Sequence, residues 1–167
     1  MGSGKTAVGR QLAAKSGLEF LDSDQEIQRR TGVDIPFIFE KEGEAGFRER
    51  EKEVIAELTQ RAGILLATGG GVVLDAENRL KLKATGIVIY LYTTVEEQLR
   101  RTGRSKTRPL LLNDNPKATL LALRKQRQPL YDEIADYRVD TTGRRVKNVA
   151  ASIFRMLDKE GRLALQN

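Results

Sequence analysis

The chain opens Met1-Gly2-Ser3-Gly4-Lys5-Thr6. Gly4, Lys5 and Thr6 are the last three positions of G-x-x-x-x-G-K-[ST], the loop that joins a buried strand to a helix and cradles nucleotide phosphates. The motif's first glycine would fall ahead of Met1, and so would the strand that feeds the loop. The opening therefore predicts phosphate chemistry with the feeding strand missing from the sequence as given. Glycines let backbone N–H groups approach phosphate oxygens without a Cβ clash. The helix starting near Lys5 points its positive end at the same oxygens. In such a loop Lys5 reaches the β- and γ-phosphates and the Thr6 hydroxyl ligates Mg²⁺. Val8, Leu12 and Ala13 recur at helical spacing, so a helix follows the glycines. A glycine-rich tail that happens to contain G-K-T is the competing reading.

With 167 residues the chain is one domain, 1–167, large enough for a real core. It has no cysteine and no histidine, which removes disulfides, thiolate or imidazole metal sites and Ser-His or Cys-His nucleophiles. Catalysis must rest on carboxylates, Lys, Arg, hydroxyls and a metal ion. There is no apolar run of about 18 residues and no signal peptide, so a cytoplasmic protein without a membrane span is expected. The net charge is +6, but basic and acidic residues interleave and aromatics are only 5%, which disfavours nucleic acid as a partner.

Helices and strands alternate. Strands are predicted at Glu19 to Leu21, Ile64 to Ala67, Ile87 to Leu91 and Tyr137 to Asp140, the second and third buried on both faces. Helices are predicted over Gln25 to Arg30, Ile35 to Phe39, Ala45 to Arg61, Asp75 to Ala84, Val95 to Arg101, Pro116 to Ala135 with a break near Pro129, and Val146 to Leu157. The alternation implies an α/β fold, a parallel sheet with helices on both faces. A basic loop carrying Arg104, Lys106, Arg108 and Pro109 occupies about 103–116; a solvated loop and a kinase lid are equally good readings.

Four groups of residues could carry chemistry. Asp22 and Asp24, two apart at a strand end, face one side of an extended chain and could serve a metal and a hydroxyl, or simply cap the next helix. Gly69-Gly70-Gly71 follow a buried strand, where open parallel sheets bind ligands, and could let a flat substrate lie on bare backbone. Arg48 and Arg127 could grip a carboxylate together, although spacing alone does not bring them together. Arg101 joins the basic loop residues near polyphosphate.

As an ordered set these pieces resemble the shikimate kinase family. The resemblance rests on Gly2 to Thr6, Leu21-Asp22-Ser23-Asp24, Glu42-Gly43-Glu44 through Phe47-Arg48-Glu49-Arg50-Glu51, Ala67 to Gly71, Arg108-Pro109-Leu110-Leu111 and Arg127-Gln128-Pro129-Leu130-Tyr131. It covers Met1 to about Leu157. It implies a phosphate-loop fold like that of nucleoside monophosphate kinases, with a lid loop at about 103–116. It also implies transfer of the ATP γ-phosphoryl group to the 3-hydroxyl of shikimate, by a monomer in the pathway to aromatic amino acids. Carried over by position, Gly2, Ser3, Gly4, Lys5, Thr6 and Ala7 resemble the phosphate cradle, with Thr6 and Asp22 serving Mg²⁺. Asp24 resembles the residue that holds the reacting hydroxyl. Arg48 and Arg127 look like the carboxylate grip, and Gly69, Gly70 and Gly71 like the platform under the ring. Arg108 looks like the lid arginine on the transferring group, with Lys5, Asp24 and Arg108 as the catalytic set. Arg101 and Arg144 look like contacts to the nucleotide base. Family members carry an apolar strand before the residue equivalent to Met1, so this chain is expected to be weakly active or inactive as written. The alternatives are another phosphate-loop kinase of small molecules, such as a gluconate kinase, and a non-catalytic nucleotide-binding fragment.

Overall fold

The computed structural model describes residues 2–102 and 115–163. The lid expected at about 103–116, Arg108 included, therefore lies almost wholly outside the described residues. The elements run α1 (Lys5–Ser16), β1 (Glu19–Asp22), α2 (Ser23–Thr31), α3 (Ile35–Leu58), β2 (Ile64–Ala67), a 3₁₀ turn (Val72–Leu74), α4 (Ala76–Thr85), β3 (Ile89–Tyr92), α5 (Val95–Thr102), α6 (Pro116–Ile134), β4 (Tyr137–Asp140) and α7 (Val146–Lys159).

Their boundaries follow from local chemistry. Asp34, Asp75 and Asn115 each accept the backbone N–H three residues on, at 2.9, 2.9 and 3.0 Å, which satisfies a donor the first helical turn leaves open. Gly17 and Gly32 close α1 and α2 in the left-handed conformation that a side chain resists. Two boundaries differ from the sequence reading. The two helices expected from Ile35 and from Ala45 form one run with a kink at Gly43, whose φ of 70° and ψ of −175° leave the helical region. That run stops at Leu58, so Gly63 serves the turn into β2 and not the helix end. Nor does α6 break near Pro129. Pro129 and Lys125, whose carbonyl loses its partner, are both exposed, so water can take the vacant acceptor. Around them Arg127 and Ile134 are buried and hold the helix in place.

The sheet consists of two parallel pairs. In the first, Glu19 lies opposite Ile64 and Asp22 opposite Ala67. In the second, Ile89 lies opposite Tyr137 and Tyr92 opposite Asp140. Among the described residues β2 and β3 are not hydrogen-bonded to each other. A cavity of about 810 Å³ runs along the full length of both. The two strands expected to be buried on both faces are only half-buried for this reason, since their free edges line the cavity. Alternation still sorts their side chains between layers. Leu65, Ile89 and Leu91 pack with Val8 and Leu12 of α1 and Val149, Ile153 and Leu157 of α7. Leu66 turns the other way, toward Ile55, Val72, Val73 and Ile134. A third cluster joins Ile27 of α2 to Ile38, Phe47, Val54 and Leu58 of α3. Each such side chain, fully buried, contributes about 1.5–3 kcal/mol.

Candidate active site

The strands deliver their carboxyl ends to the loop at Gly2–Thr6, where an open parallel sheet places its ligands. Gly2 and Gly4 hold φ of 69° and 86°, and α1 begins with no side chain capping its first N–H groups. Those donors and the helix dipole are thus left for an anion. Thr6 donates its hydroxyl to Asp22 Oδ2 at 2.8 Å, and the other oxygen of Asp22 accepts the Asp24 N–H at 3.0 Å. Asp22 thus caps α2 with one oxygen and holds the Thr6 hydroxyl with the other. Asp22 ends β1, but Asp24 already sits in the first turn of α2, so the two carboxylates do not share an extended strand as expected; a cap begins the helix two residues earlier than Gln25. Lys5 Nζ nevertheless lies 3.8 Å from Asp24 Oδ2. A hydroxyl beside a carboxylate suits Mg²⁺, an oxygen-seeking ion that keeps several waters and takes further ligands from phosphate. Among the described residues no group of three or more acids competes as a metal site.

The far side of Asp24 is built by Arg48, Glu51, Gly69–Gly71, Arg127 and Tyr131, all lining the same cavity. A Cβ on Gly69 would stand 2.7 Å from Glu51 Oε1 and 2.9 Å from Asp24 Oδ1; one on Gly71 would stand 2.2–2.4 Å from the Arg48 guanidinium. Two of the three glycines thus make room for charged side chains. Gly70 supplies a carbonyl that accepts from Arg127 Nη1 at 3.1 Å and from the Tyr131 hydroxyl. The Gly69 N–H donates to the fully buried Ser23 hydroxyl at 3.2 Å, which ties the glycines to α2.

Electrostatics divide the two arginines. Arg48 binds Glu51 at 2.6 Å and Glu44 at 2.7 Å. Burial opposes its charge, but the two carboxylates more than offset this and raise its pKa. Burial pushes the Glu51 carboxyl up, with Arg48 resisting. Arg127 is 5% exposed, and burial, joined by the nearby Arg48 charge, lowers its pKa. Its Nε has no hydrogen-bond partner among the described residues. A buried guanidinium with an idle donor is primed for a carboxylate, which it can bind in bidentate fashion.

The nucleotide side is less uniform. Arg101 ties three segments together: Glu97 at 2.7 Å, the Gly2 carbonyl at 3.1 Å and the Thr141 carbonyl at 3.0 Å. The structure places Arg144 on the Asp140 carbonyl and the Ser152 hydroxyl, at 3.0 and 2.9 Å, outside the cavity lining. Ala7 lines the cavity just behind Thr6. Sequence reasoning gave no role to Ser23, Glu51 or Tyr131. Two of them had a signal: Glu51 stands three residues from Arg48 and Tyr131 four from Arg127, each on the same helical face.

A model of the shikimate kinase family matches residues 1–158. Shikimate kinase of Actinobacillus pleuropneumoniae serotype 5b (strain L20) is 55% identical over 158 residues, which cover 95% of this chain and 91% of that one. Shikimate kinase 1 of Yersinia enterocolitica is 55% identical over 159 residues, covering 95% and 92%. The structure of Acinetobacter baumannii shikimate kinase in complex with shikimate superposes with a TM-score of 0.93 at 54% identity, covering 96% of this chain and 89% of that one.

Proposed function

The chain belongs to the shikimate kinase family, and from that premise we propose that it transfers the γ-phosphoryl group of ATP to the 3-hydroxyl of shikimate. One observation carries the reading. A single cavity holds the Gly2–Thr6 loop and, across Asp24, a buried Arg127 whose Nε is idle. A triphosphate and an acid-bearing alcohol bound there meet at Asp24.

The steps follow from this chain's residues. The loop N–H groups and Lys5 hold the β- and γ-phosphates. Thr6 and Asp22 would hold Mg²⁺, which supplies charge neutralisation to the phosphates when bound. Arg127 and Arg48 hold the substrate carboxylate and so orient the ring, while Gly70 fixes Arg127. Asp24 orients the 3-hydroxyl and takes its proton as the oxygen bonds to phosphorus and the bond to ADP breaks. Little covalent help is needed, because positioning and charge stabilisation account for most of such a reaction. Arg108 would add charge at the transferring group, and Arg101 and Arg144 would meet the base. The enzyme would act as a cytoplasmic monomer.

The test is a panel of acceptors with ATP and Mg²⁺, read by ADP release. Turnover with shikimate at least 100-fold above that with gluconate is expected; preference for gluconate, or ATP hydrolysis indifferent to either, would overturn the proposal. Arg48→Ala or Arg127→Ala should weaken shikimate binding by about 2–5 kcal/mol, as truncating one partner of a buried charge pair does.

A further inference from the structure

Three consecutive glycines make a soft platform. The space a Cβ would take at Gly69 and Gly71 is filled by Glu51, Asp24 and Arg48. No stiffer residue fits there without displacing them, and glycine leaves the backbone free to turn. The stretch must then be held from outside. The Gly69 N–H is tied to the Ser23 hydroxyl at 3.2 Å. The Gly70 carbonyl is held from α6, by Arg127 Nη1 at 3.1 Å and by the Tyr131 hydroxyl. A carbonyl oxygen has two lone pairs, and two donors use both, so the Gly70 peptide plane keeps little freedom.

Tyr131 stands one turn beyond Arg127 on α6, which brings both to one face of the helix. Its ring is fixed in turn. It stacks on Tyr90 of β3, with centroids 4.4 Å apart and planes 18° from parallel, and packs against Ile55, Val72, Val73 and Ile134. The phenol oxygen lies on the ring axis, so a fixed ring means a fixed oxygen. Burial raises the hydroxyl's pKa to about 12, which keeps it a donor throughout the neutral range.

We propose that Tyr131, braced by Tyr90, is a positioning residue for the acid-bearing substrate: it aims the Gly70 carbonyl, and that carbonyl sets the Arg127 guanidinium before the substrate arrives. The inference rests on the kinase reading, in which Arg127 takes the substrate carboxylate. A guanidinium presents its five N–H donors in a rigid fork. The bond from Nη1 to Gly70 therefore fixes where the idle Nε faces. Without the Tyr131 hydroxyl, the carbonyl would turn with Arg127 and pull harder on it. Carboxylate binding would then include the cost of ordering both groups. Tyr131 braces the acid end of the cavity and not the Gly2–Thr6 loop, so the effect falls on one substrate.

Tyr131→Phe removes the hydroxyl and keeps the ring on Tyr90. In the full chain with ATP and Mg²⁺ it should raise the KM for shikimate at least fivefold, with kcat and the KM for ATP changed less than twofold. A purely structural role would lower the folded fraction and leave both KM values alone. The route through Arg127 is read by a double-mutant cycle on kcat/KM for shikimate. Added to Arg127→Ala, Tyr131→Phe should cost less than twofold. Tyr90→Leu, which takes away the stacked ring, should raise the shikimate KM in the same direction. An unchanged shikimate KM in Tyr131→Phe, equal rises for both substrates, or full additivity with Arg127→Ala would overturn the proposal. A parent chain that does not turn over shikimate would end the kinase reading and this inference with it. A parent that does, beside a Tyr131→Phe variant with the parent's KM, ends this inference alone.

Discussion

Adding one methyl group at Gly71 isolates what that glycine contributes. Its φ of −98° is open to any residue, so alanine introduces no backbone strain. The three atoms nearest the added Cβ all belong to the Arg48 guanidinium, the far end of a flexible side chain that can swing away. Gly71→Ala should therefore leave unfolding free energy within about 1 kcal/mol of the parent and raise the KM for shikimate at least tenfold, with the KM for ATP changed less than threefold. Steady-state kinetics beside urea unfolding check this; equal losses in both substrates would remove Arg48 from the acid site. At Asp24 the expected split is different. Asp24→Asn should lower kcat far more than ATP affinity, since the change removes a proton acceptor while Lys5 still faces the phosphates. Equal losses in both would argue against that role. Candidate residues were legible here because phosphate and carboxylate chemistry restricts residue type: Lys5, Asp24 and Arg127 line one cavity, with Thr6 bonded to Asp22. The space a Cβ would take from Glu51 or Arg48 was not legible, because it depends on three segments that meet only after folding.

At the scale of elements, α7 and α6 make the clearest predictions. Ile153 is 1% exposed and packs against α1, which carries the phosphate loop, and against the strands. Ile153→Ala should cost about 2–5 kcal/mol, measured by urea unfolding, while the folded fraction keeps its KM values. In α6 burial pushes the Tyr131 hydroxyl from an ordinary 10.0 up to about 12, against the pull of Arg127. The folded state holds that proton more tightly than the unfolded chain. The associated stability is complete below the unfolded value and is lost as pH rises through about 12, a loss of about 2–3 kcal/mol for a two-unit shift. Guanidinium unfolding followed from about pH 9 upward should show this decline, and Tyr131→Phe should remove it. Caps written in sequence, such as Asp34, Asp75 and Asn115, were readable because they act within four residues. The uninterrupted course through Pro129 was not, because packing of Arg127 and Ile134 against distant elements outweighs the proline's local cost of about 3 kcal/mol.

For the whole molecule, the order of helices and strands was enough to predict an α/β fold of parallel strands with helices. What sequence could not supply was convergence: Arg48 on α3 and Arg127 on α6 are 79 positions apart and meet only because α3, α6 and the glycines pack around one cavity. In the proposed reaction this convergence places an acid-bearing alcohol in line with a triphosphate. Phosphorus NMR of the chain mixed with ATP, Mg²⁺ and shikimate tests it most directly. A new phosphomonoester on the 3-carbon of shikimate is expected, one per ADP formed, abolished in Asp24→Asn although calorimetry still detects shikimate binding. ATP consumed without that phosphomonoester, or its undiminished formation by Asp24→Asn, would contradict it.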